Sequence, residues 1–551
     1  MTDRKRTNRM ARPVDQHGIS RRDVLRGGVL IPASVMLPVW MTARAQVTSG
    51  PSGGPPGGTI DYFISTTGND SNPGTLSAPW AITSLVNTNA NNAKTAGKNV
   101  GLIAGTYNVS GTGSGGTKIG SGNNPTNGSY CALSLRPGSA SASTWVGSCN
   151  SSGVYTPRAA IIFVASGQTS GSSNQWNNAI IGVDAGNGGY VTLDGIVVNA
   201  NGMNCPGANG NEGAHIFMTQ GTNGSFTSAG NQPGIVVQNC ELYGINATDS
   251  GGNDAAIFLS GTQGEIIQNN YIHDVNKSSQ IDHSHGIEAY GCQNGQWIYN
   301  TFAKCTGGAA EAKEGCGGIT CAYNYFYDCS VGGSGNAAVL QGWDGAEGNP
   351  NTPTTAFALH HNIFDSCGRV TFGESNNANH TQAVHWYNNT VYNSGDVVLQ
   401  SSGGGGLIQH YNNLYVLAAP ASGFQQFTSG GYSVLDYDCS YTLNGSYNGM
   451  WQMSNQNFNS LASFQSAAGA ESHAIPQATD PKFTSGTTAL AAGAGAAQFK
   501  LASGSPCVST GRGGVNIGAW DGSVTQIGCS FALGATSTPT PIPSAPVLSV
   551  S

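Results

Sequence analysis

Only 9% of this 551-residue chain is Asp, Glu, Lys or Arg, so charged groups that return at regular intervals are the first candidates for chemistry. Glu288, Glu311, Lys313 and Arg369 return in that way, each inside a short segment of alternating apolar residues. Two carboxylates held close together repel, and one pKa rises unless a cation lies beside them. Calcium, a hard ion that takes several oxygens, suits Glu288 and Glu311 as its ligands. Lys313 adds positive charge beside them. Together these are the parts needed to take a carbon-bound proton next to a carboxylate. Positive charge neutralises the carboxylate, and a base with its pKa lowered towards working pH takes the proton. Lys313 is the candidate base and Arg369 its assistant. Calcium or Arg369 has to depress the Lys313 pKa against the opposite pull of the glutamates. The plainer reading is a solvated ladder of ion pairs that contributes little to stability.

Other polar residues stand close enough in sequence to join this group. Asp282, His283, Ser284 and His285 immediately precede the Glu288 segment, which makes His285 a candidate base or ligand. Tyr290 and Gln341 fall on the same predicted face, and Trp343 follows as a platform for stacking on a ring. Asp344 and Glu347 form a second carboxylate pair, while Glu374 and His380 follow the next segment. Taken singly, each of these suits a turn or surface position better.

Internal repetition supplies the elements that must position these groups. One set of segments runs through residues 215–219, 256–260, 286–290, 309–313, 337–341, 369–373 and 396–400. A second set centres on Cys240, Asn270, Asn300, Asn324, Asn362, Asn389 and Asn413, spaced 24 to 38 residues apart. That spacing fits a coil of two or three short parallel strands that returns to stack on the previous coil. The asparagines then form an inward ladder, with amides bonded from turn to turn and backbones that tolerate left-handed angles. Alternation directs Ile257, Leu259, Ile287, Ala289, Ala310, Ala312, Ala338, Leu340, Val370, Phe372, Val397 and Leu399 inward. The outward columns read Phe258, Glu288, Glu311, Val339, Thr371, Val398 and, beside them, Ser260, Tyr290, Lys313, Gln341, Gly373, Gln400. With stacked strands ~4.8 Å apart, Glu288 and Glu311 become neighbours. The expected fold is an all-β, right-handed parallel β-helix.

The opening Tyr62 to Thr75, then Pro79-Trp80 and Gly105 to Tyr107, and the closing Leu501 to Cys507 and Ile517 to Trp520, resemble the pectate-lyase-like right-handed β-helix superfamily. The resemblance spans nearly the whole chain after its leader and is specific for fold. It implies an exported enzyme acting on a polysaccharide. The run Glu311 to Glu314 is similar to the lysine-bearing strand of chondroitinase B and alginate lyase types. There, acidic ligands hold calcium against a uronate carboxylate, a lysine takes the C5 proton and an arginine assists. The resemblance therefore implies a lyase, with Tyr290, Gln341 and Trp343 as substrate contacts. A glycoside hydrolase using Glu288 with Glu311, or Asp344 with Glu347, is the second reading. A non-catalytic glycan-binding scaffold is the third.

Residues 1–45 read as a twin-arginine export signal: Ser20 to Leu25 carries the paired arginines, an apolar run spans Gly28 to Met41, and Ala43-Arg44-Ala45 offers a cleavage site. The expected location is periplasmic or secreted. The apolar run, which contains Pro32 and Pro38, is shorter than the ~20 residues a membrane span needs. Nine of the 21 Lys and Arg and three of the 28 Asp and Glu lie in this leader, so the remainder carries a net charge near −13. That charge argues against nucleic acid or an anionic membrane as partner. It also counts against an acidic polysaccharide unless a cation or a local basic patch intervenes, and is kinder to a neutral glycan. The expected partner is a polysaccharide substrate and the expected state a monomer. Residues 46–59 form a Gly/Pro-rich linker, 60–533 the β-helix with a loop-rich insertion near 108–156, and 534–551 a Thr/Pro-rich tail. Thirteen cysteines leave at least one thiol unpaired within the chain. Sequence leaves the pairing open, and proximity alone allows Cys131 with Cys149, Cys316 with Cys321, and Cys507 with Cys529. None has zinc-site spacing.

Overall fold

The computed structural model describes residues 53–531, apart from several stretches, the longer being 110–117, 120–129, 171–177, 204–213, 220–231, 331–337, 344–355, 375–383 and 400–407. The expected export signal and C-terminal tail lie outside the described residues, as do Asp282, Glu314, Asp344, Glu347 and His380. Gln341, Trp343 and Glu374 are described by their backbone alone.

Successive coils each give one strand to three long sheets, of twelve, eleven and twelve strands. One coil runs Ser284–Tyr290, Gln296–Ile298, Thr301–Cys305 and returns to Gly308–Lys313, directly beside its starting strand. Pairing within the three sheets is parallel, except where Trp451–Met453 and Gln456–Phe458 close the last edge as an antiparallel hairpin. The fold is a right-handed parallel β-helix, as the repeat predicts. Three strands make each coil, and the short third strand carries no alternation strong enough to read from sequence.

Side chains from all three sheets meet inside the coil. Phe302, Phe326, Phe364 and Trp386 stack in file with ring centroids 5.0, 4.8 and 5.6 Å apart. Such pairs add about 0.5–1.5 kcal/mol each beyond the area they bury. Beside them runs the asparagine ladder. The backbone N–H of Asn300 donates to Asn324 Oδ1 at 2.8 Å, and that of Asn324 donates to Asn362 Oδ1 at 3.0 Å. The series continues through Asn389 and Asn413 and ends on a carboxylate, Asp438 Oδ1, 2.7 Å from the Asn413 nitrogen. One expectation is corrected here: the left-handed angles belong to the residue before each rung. Asn269, Tyr299, Tyr323, His361 and Asn388 hold φ between 51° and 59°, which turns the chain so that the rung itself points inward.

The stretch 108–156 is less irregular than its composition suggests. Tyr130–Leu135 joins the sheet that contains Glu288 and Glu311, and Thr144–Cys149 joins the ladder sheet, whose strands lead into the asparagine rungs, so this stretch contributes strands to the solenoid. At the far end, helix Leu461–Ala468 is capped by Ser460, with Gly469 left-handed at φ 63°, and stacks Phe464 against Trp451. It covers the last coil, which an open solenoid end requires. The twelve described cysteines are free thiols, so the proximity pairings are not formed. Stacking sets different neighbours: the Cys292 backbone N–H donates to Cys316 Sγ at 3.2 Å. No described helix is long and apolar enough to cross a membrane.

Candidate active site

Glu288 and Glu311 are direct partners across adjacent strands, and Tyr290 and Lys313 are partners beside them. Strict alternation would send His285 inward with Ile287. Instead the strand bends at Gly286. Ala256 and Ile257 both enter the core, as do Ala309 and Ala310 two coils on, while Ala255 and Phe258 join a separate outer cluster. His285, paired with Ala255, is carried to the outer face by the same bend. Gly286 is required there, because a Cβ would sit 2.5 Å from the Ala309 carbonyl oxygen and 2.7 Å from the Phe302 ring.

The four groups meet closely. Lys313 Nζ lies 2.8 Å from Glu311 Oε2 and 3.4 Å from Glu288 Oε1, and His285 Nε2 lies 3.1 Å from Glu311 Oε2. Tyr290 donates its hydroxyl to Glu288 Oε1 at 2.8 Å. Asn253, which sequence reasoning missed, donates through Nδ2 to Glu288 Oε1 and to Tyr290 Oη, the latter at 2.7 Å. Its only signal was its place one residue before a strand of the repeat. The cluster is not the open wall expected: Glu288 is fully buried and Glu311 is 3% exposed. The Lys313 side chain, 12% exposed, is the most accessible of the ion-paired groups.

Burial pushes Glu288 up to about 7, with Lys313 pulling down and Glu311 adding repulsion. Burial also raises Glu311, but Lys313 and His285 outweigh it and leave that carboxyl below its ordinary range. The proton of the pair therefore resides on Glu288, which has one cation at 3.4 Å where Glu311 has two groups nearer. Burial alone would lower Lys313, yet Glu311 and Glu288 hold it well above the usual lysine range. In this arrangement Lys313 keeps its proton. Tyr290 is likewise held as a phenol by burial and by Glu288.

Donor atoms of His285, Glu288 and Glu311 all lie within 4.8 Å of one another. The two carboxylates fit a hard cation such as calcium, whereas an imidazole nitrogen suits softer divalent ions. Calcium thus has two of the three donors on its side.

Arg369 does not join them. Its strand lies two removed from that of Glu311, and its guanidinium pairs with Asp396 at 3.6 Å. The register also corrects the expected columns. Gln341, and not Val339, lies opposite Glu311, and Trp343 lies opposite Lys313. The next pairings slip at Ala338/Leu340 and at Gly342/Trp343, which brings Glu374 opposite Trp343. These irregularities displace Arg369 from the file that sequence alignment gives it.

No protein-family model matches the chain, and no curated protein matches it in sequence. Among solved structures it is similar to pectate lyase Pel9A, at 13% identity and a TM-score of 0.44, covering 84% of this chain and 96% of that one. An alginate lyase from Paenibacillus sp. str. FPU-7 is 14% identical over 67% of this chain and 94% of its own, with a TM-score of 0.33. A GH136 lacto-N-biosidase from Eubacterium ramulus is 12% identical over 76% of this chain and 67% of its own, also at 0.33. Likenesses at this level span two chemistries and carry no argument between them.

Proposed function

We propose that this protein is a polysaccharide lyase that cleaves a uronate-containing glycan by β-elimination at the Glu288–Glu311–Lys313 cluster. The observation that carries the reading is the single ammonium of Lys313 set against two buried carboxylates. β-Elimination removes the proton on the carbon next to the uronate carboxylate and expels the glycosidic oxygen from the adjacent carbon, leaving a double bond. The charge that builds on the substrate carboxylate needs a fixed cation in a water-poor site, and Lys313 is such a group. His285, oriented by Glu311 at 3.1 Å, is the favoured base, because Lys313 holds its own proton. This reassigns the base from the lysine. Tyr290 stands as a phenol beside Glu288, with a proton available for the leaving oxygen. Glu288 and Glu311 are the groups that would hold calcium, whose charge would be supplied to the uronate carboxylate. Arg369 is assigned to substrate charge further along the sheet.

A hydrolase is the second reading, favoured by the split between a protonated Glu288 and an ionised Glu311, a pattern of general acid and nucleophile. Glycosidase carboxyls must flank the scissile bond, however, and these two touch the same ammonium with no space for a sugar between them. Incubation with pectate, alginate and glycosaminoglycans, with and without chelator, tests both. A lyase gives products that absorb in the ultraviolet. Reducing ends without that absorbance would replace it with the hydrolase, and no cleavage of any uronate polymer would sink it.

A further inference from the structure

A second cluster of ligating side chains lies at the C-terminal end of the solenoid, away from the strands that carry the first. His410 comes from the ladder sheet, Asp438 is the last rung of the ladder, and Glu471 follows the capping helix. Their donor atoms fall within 4.8 Å of one another, and the residues are 0, 3 and 1% exposed.

The ladder shows why this place is unusual. Each asparagine rung turns its oxygen to a backbone N–H and its amide nitrogen to a carbonyl, as Asn389 Nδ2 does to Leu359 O at 3.0 Å. At Asp438 the nitrogen is replaced by a second oxygen, Oδ2, which faces His410 Nδ1 at 2.8 Å. Glu471 then brings a further carboxylate. Its Oε2 accepts from the Asp438 N–H at 3.2 Å, while its Oε1 is buried with no hydrogen-bond partner among the described residues. Oxygens outnumber donors here, and an orphaned buried oxygen costs about 1–3 kcal/mol. Without a cation, burial pushes Asp438 up to about 7 and Glu471 well above the carboxylate range. The outer ring nitrogen of His410 is already held: Nε2 lies 2.8 Å from Tyr415 Oη, which also accepts from Trp386 Nε1 at 2.9 Å. A ligating histidine normally has its second nitrogen fixed in this way.

We infer that His410, Asp438 and Glu471 form a structural site for a divalent cation of borderline softness, of which Zn2+ is the probe, fastening the capping segment to the last coils. One nitrogen and two carboxylates form a donor set for such an ion. Bonds of about 2.0–2.2 Å require the imidazole and the Asp438 carboxylate to separate by only a few tenths of an ångström. The site joins three stretches far apart in sequence, so the bound ion adds to the stability of the solenoid end.

The test uses the full chain from cells grown with added Zn2+, comparing wild type, the E288Q/E311Q double variant, and E471Q. The double variant should carry one equivalent of Zn2+ through gel filtration, and chelation should lower its unfolding temperature by several degrees. E471Q should lose that equivalent and show no such chelator shift at the cap. If wild type and the double variant both emerge without metal and chelator leaves their unfolding unchanged, the site does not exist and the two acids share a proton. Zn2+ retained by E471Q but lost from the double variant would also overturn it, by assigning the ion to the first cluster. Should E471Q fail to fold, the metal content of wild type and the double variant still decides.

Discussion

Replacing Lys313 by methionine removes the ammonium while keeping most of the stem, and it tests what holds the candidate site together. Nζ lies 2.8 Å from one buried carboxylate and 3.4 Å from another. Breaking a buried ion pair by removing one partner costs about 3–5 kcal/mol, because the surviving charge is left without compensation. Here Glu311 is left as the uncompensated charge beside a Glu288 that already holds the proton of the pair, so the expected loss at pH 7 lies within that range. The pH dependence has a definite sign. Lys313 lowers both glutamates, so without it their folded-state pKa values rise further and the variant takes up protons that the wild type does not. A carboxyl raised in the folded state contributes most below its unfolded pKa and loses that contribution as pH rises through the folded value. K313M should therefore be closer to wild type at pH 5 than at pH 7. Adding E288Q and E311Q should restore much of the loss at pH 7, since no buried charge then remains unpaired. Urea unfolding of the three proteins at both pH values supplies the numbers. A loss below about 1 kcal/mol at both pH values would refute the reasoning, as would a triple variant no more stable at pH 7 than K313M. If Lys313 is also the cation that meets the substrate, turnover should fall by about 10²–10³ even at pH 5, where the fold is restored.

Three further outcomes follow from the packing. Gly286→Ala should cost about 1–3 kcal/mol or more and move His285, so that melting temperature and polysaccharide cleavage fall together, because the added Cβ meets the Ala309 carbonyl and the Phe302 ring. Asn324→Ala removes partners from the Asn300 N–H and the Trp297 carbonyl and should destabilise by about 3 kcal/mol, measured by urea titration. Glu265, fully buried with Thr262 and Trp297 as donors, is pushed up to about 7 by burial. It favours the fold below its unfolded pKa near 4.5, and that contribution is lost as pH rises towards 7. Glu265→Gln should therefore flatten the decline in stability between pH 5 and pH 8 by about 3 kcal/mol, read from denaturation midpoints at the two pH values.

The solenoid was legible because its evidence repeats. Seven aligned asparagine-centred segments overdetermine the coil, and the structure adds the eighth rung, Asp438, 25 residues beyond Asn413. The Glu288, Glu311 and Lys313 contacts were legible for the same reason, since neighbouring coils of similar length fix which residues stack. His285 was reached only by its nearness in sequence. The bend that turns it outward depends on two successive residues facing in, and period-two alternation cannot show that.

Arg369 and the columns beyond Lys313 mark where the reading fails, and the cause is physical. The stretch from Lys313 to the next strand of this sheet, which includes Thr320–Ala322 and Tyr325–Tyr327, is longer than the one from Tyr290 to Gly308, so sequence leaves the register of Ala338–Trp343 open. A slip of two residues keeps the same side chains facing out and costs the alternation pattern nothing, whereas a slip of one would invert every face. Sequence therefore excludes odd errors but not even ones, and Val339 for Gln341 is an even one. The correction has consequences for function. It sets the backbone of Gln341 opposite Glu311 and that of Trp343 opposite Lys313. The irregularity between Ala338 and Leu340 sets Arg369 opposite Ala338, and its guanidinium pairs with Asp396 one coil on. Because the cluster then lacks a guanidinium, the positive charge nearest the reacting carboxylate must come from Lys313 or from a bound ion. Chelator sensitivity of the K313M variant separates those two sources: residual cleavage abolished by chelation assigns the charge to the ion, and cleavage absent with or without chelator assigns it to the lysine.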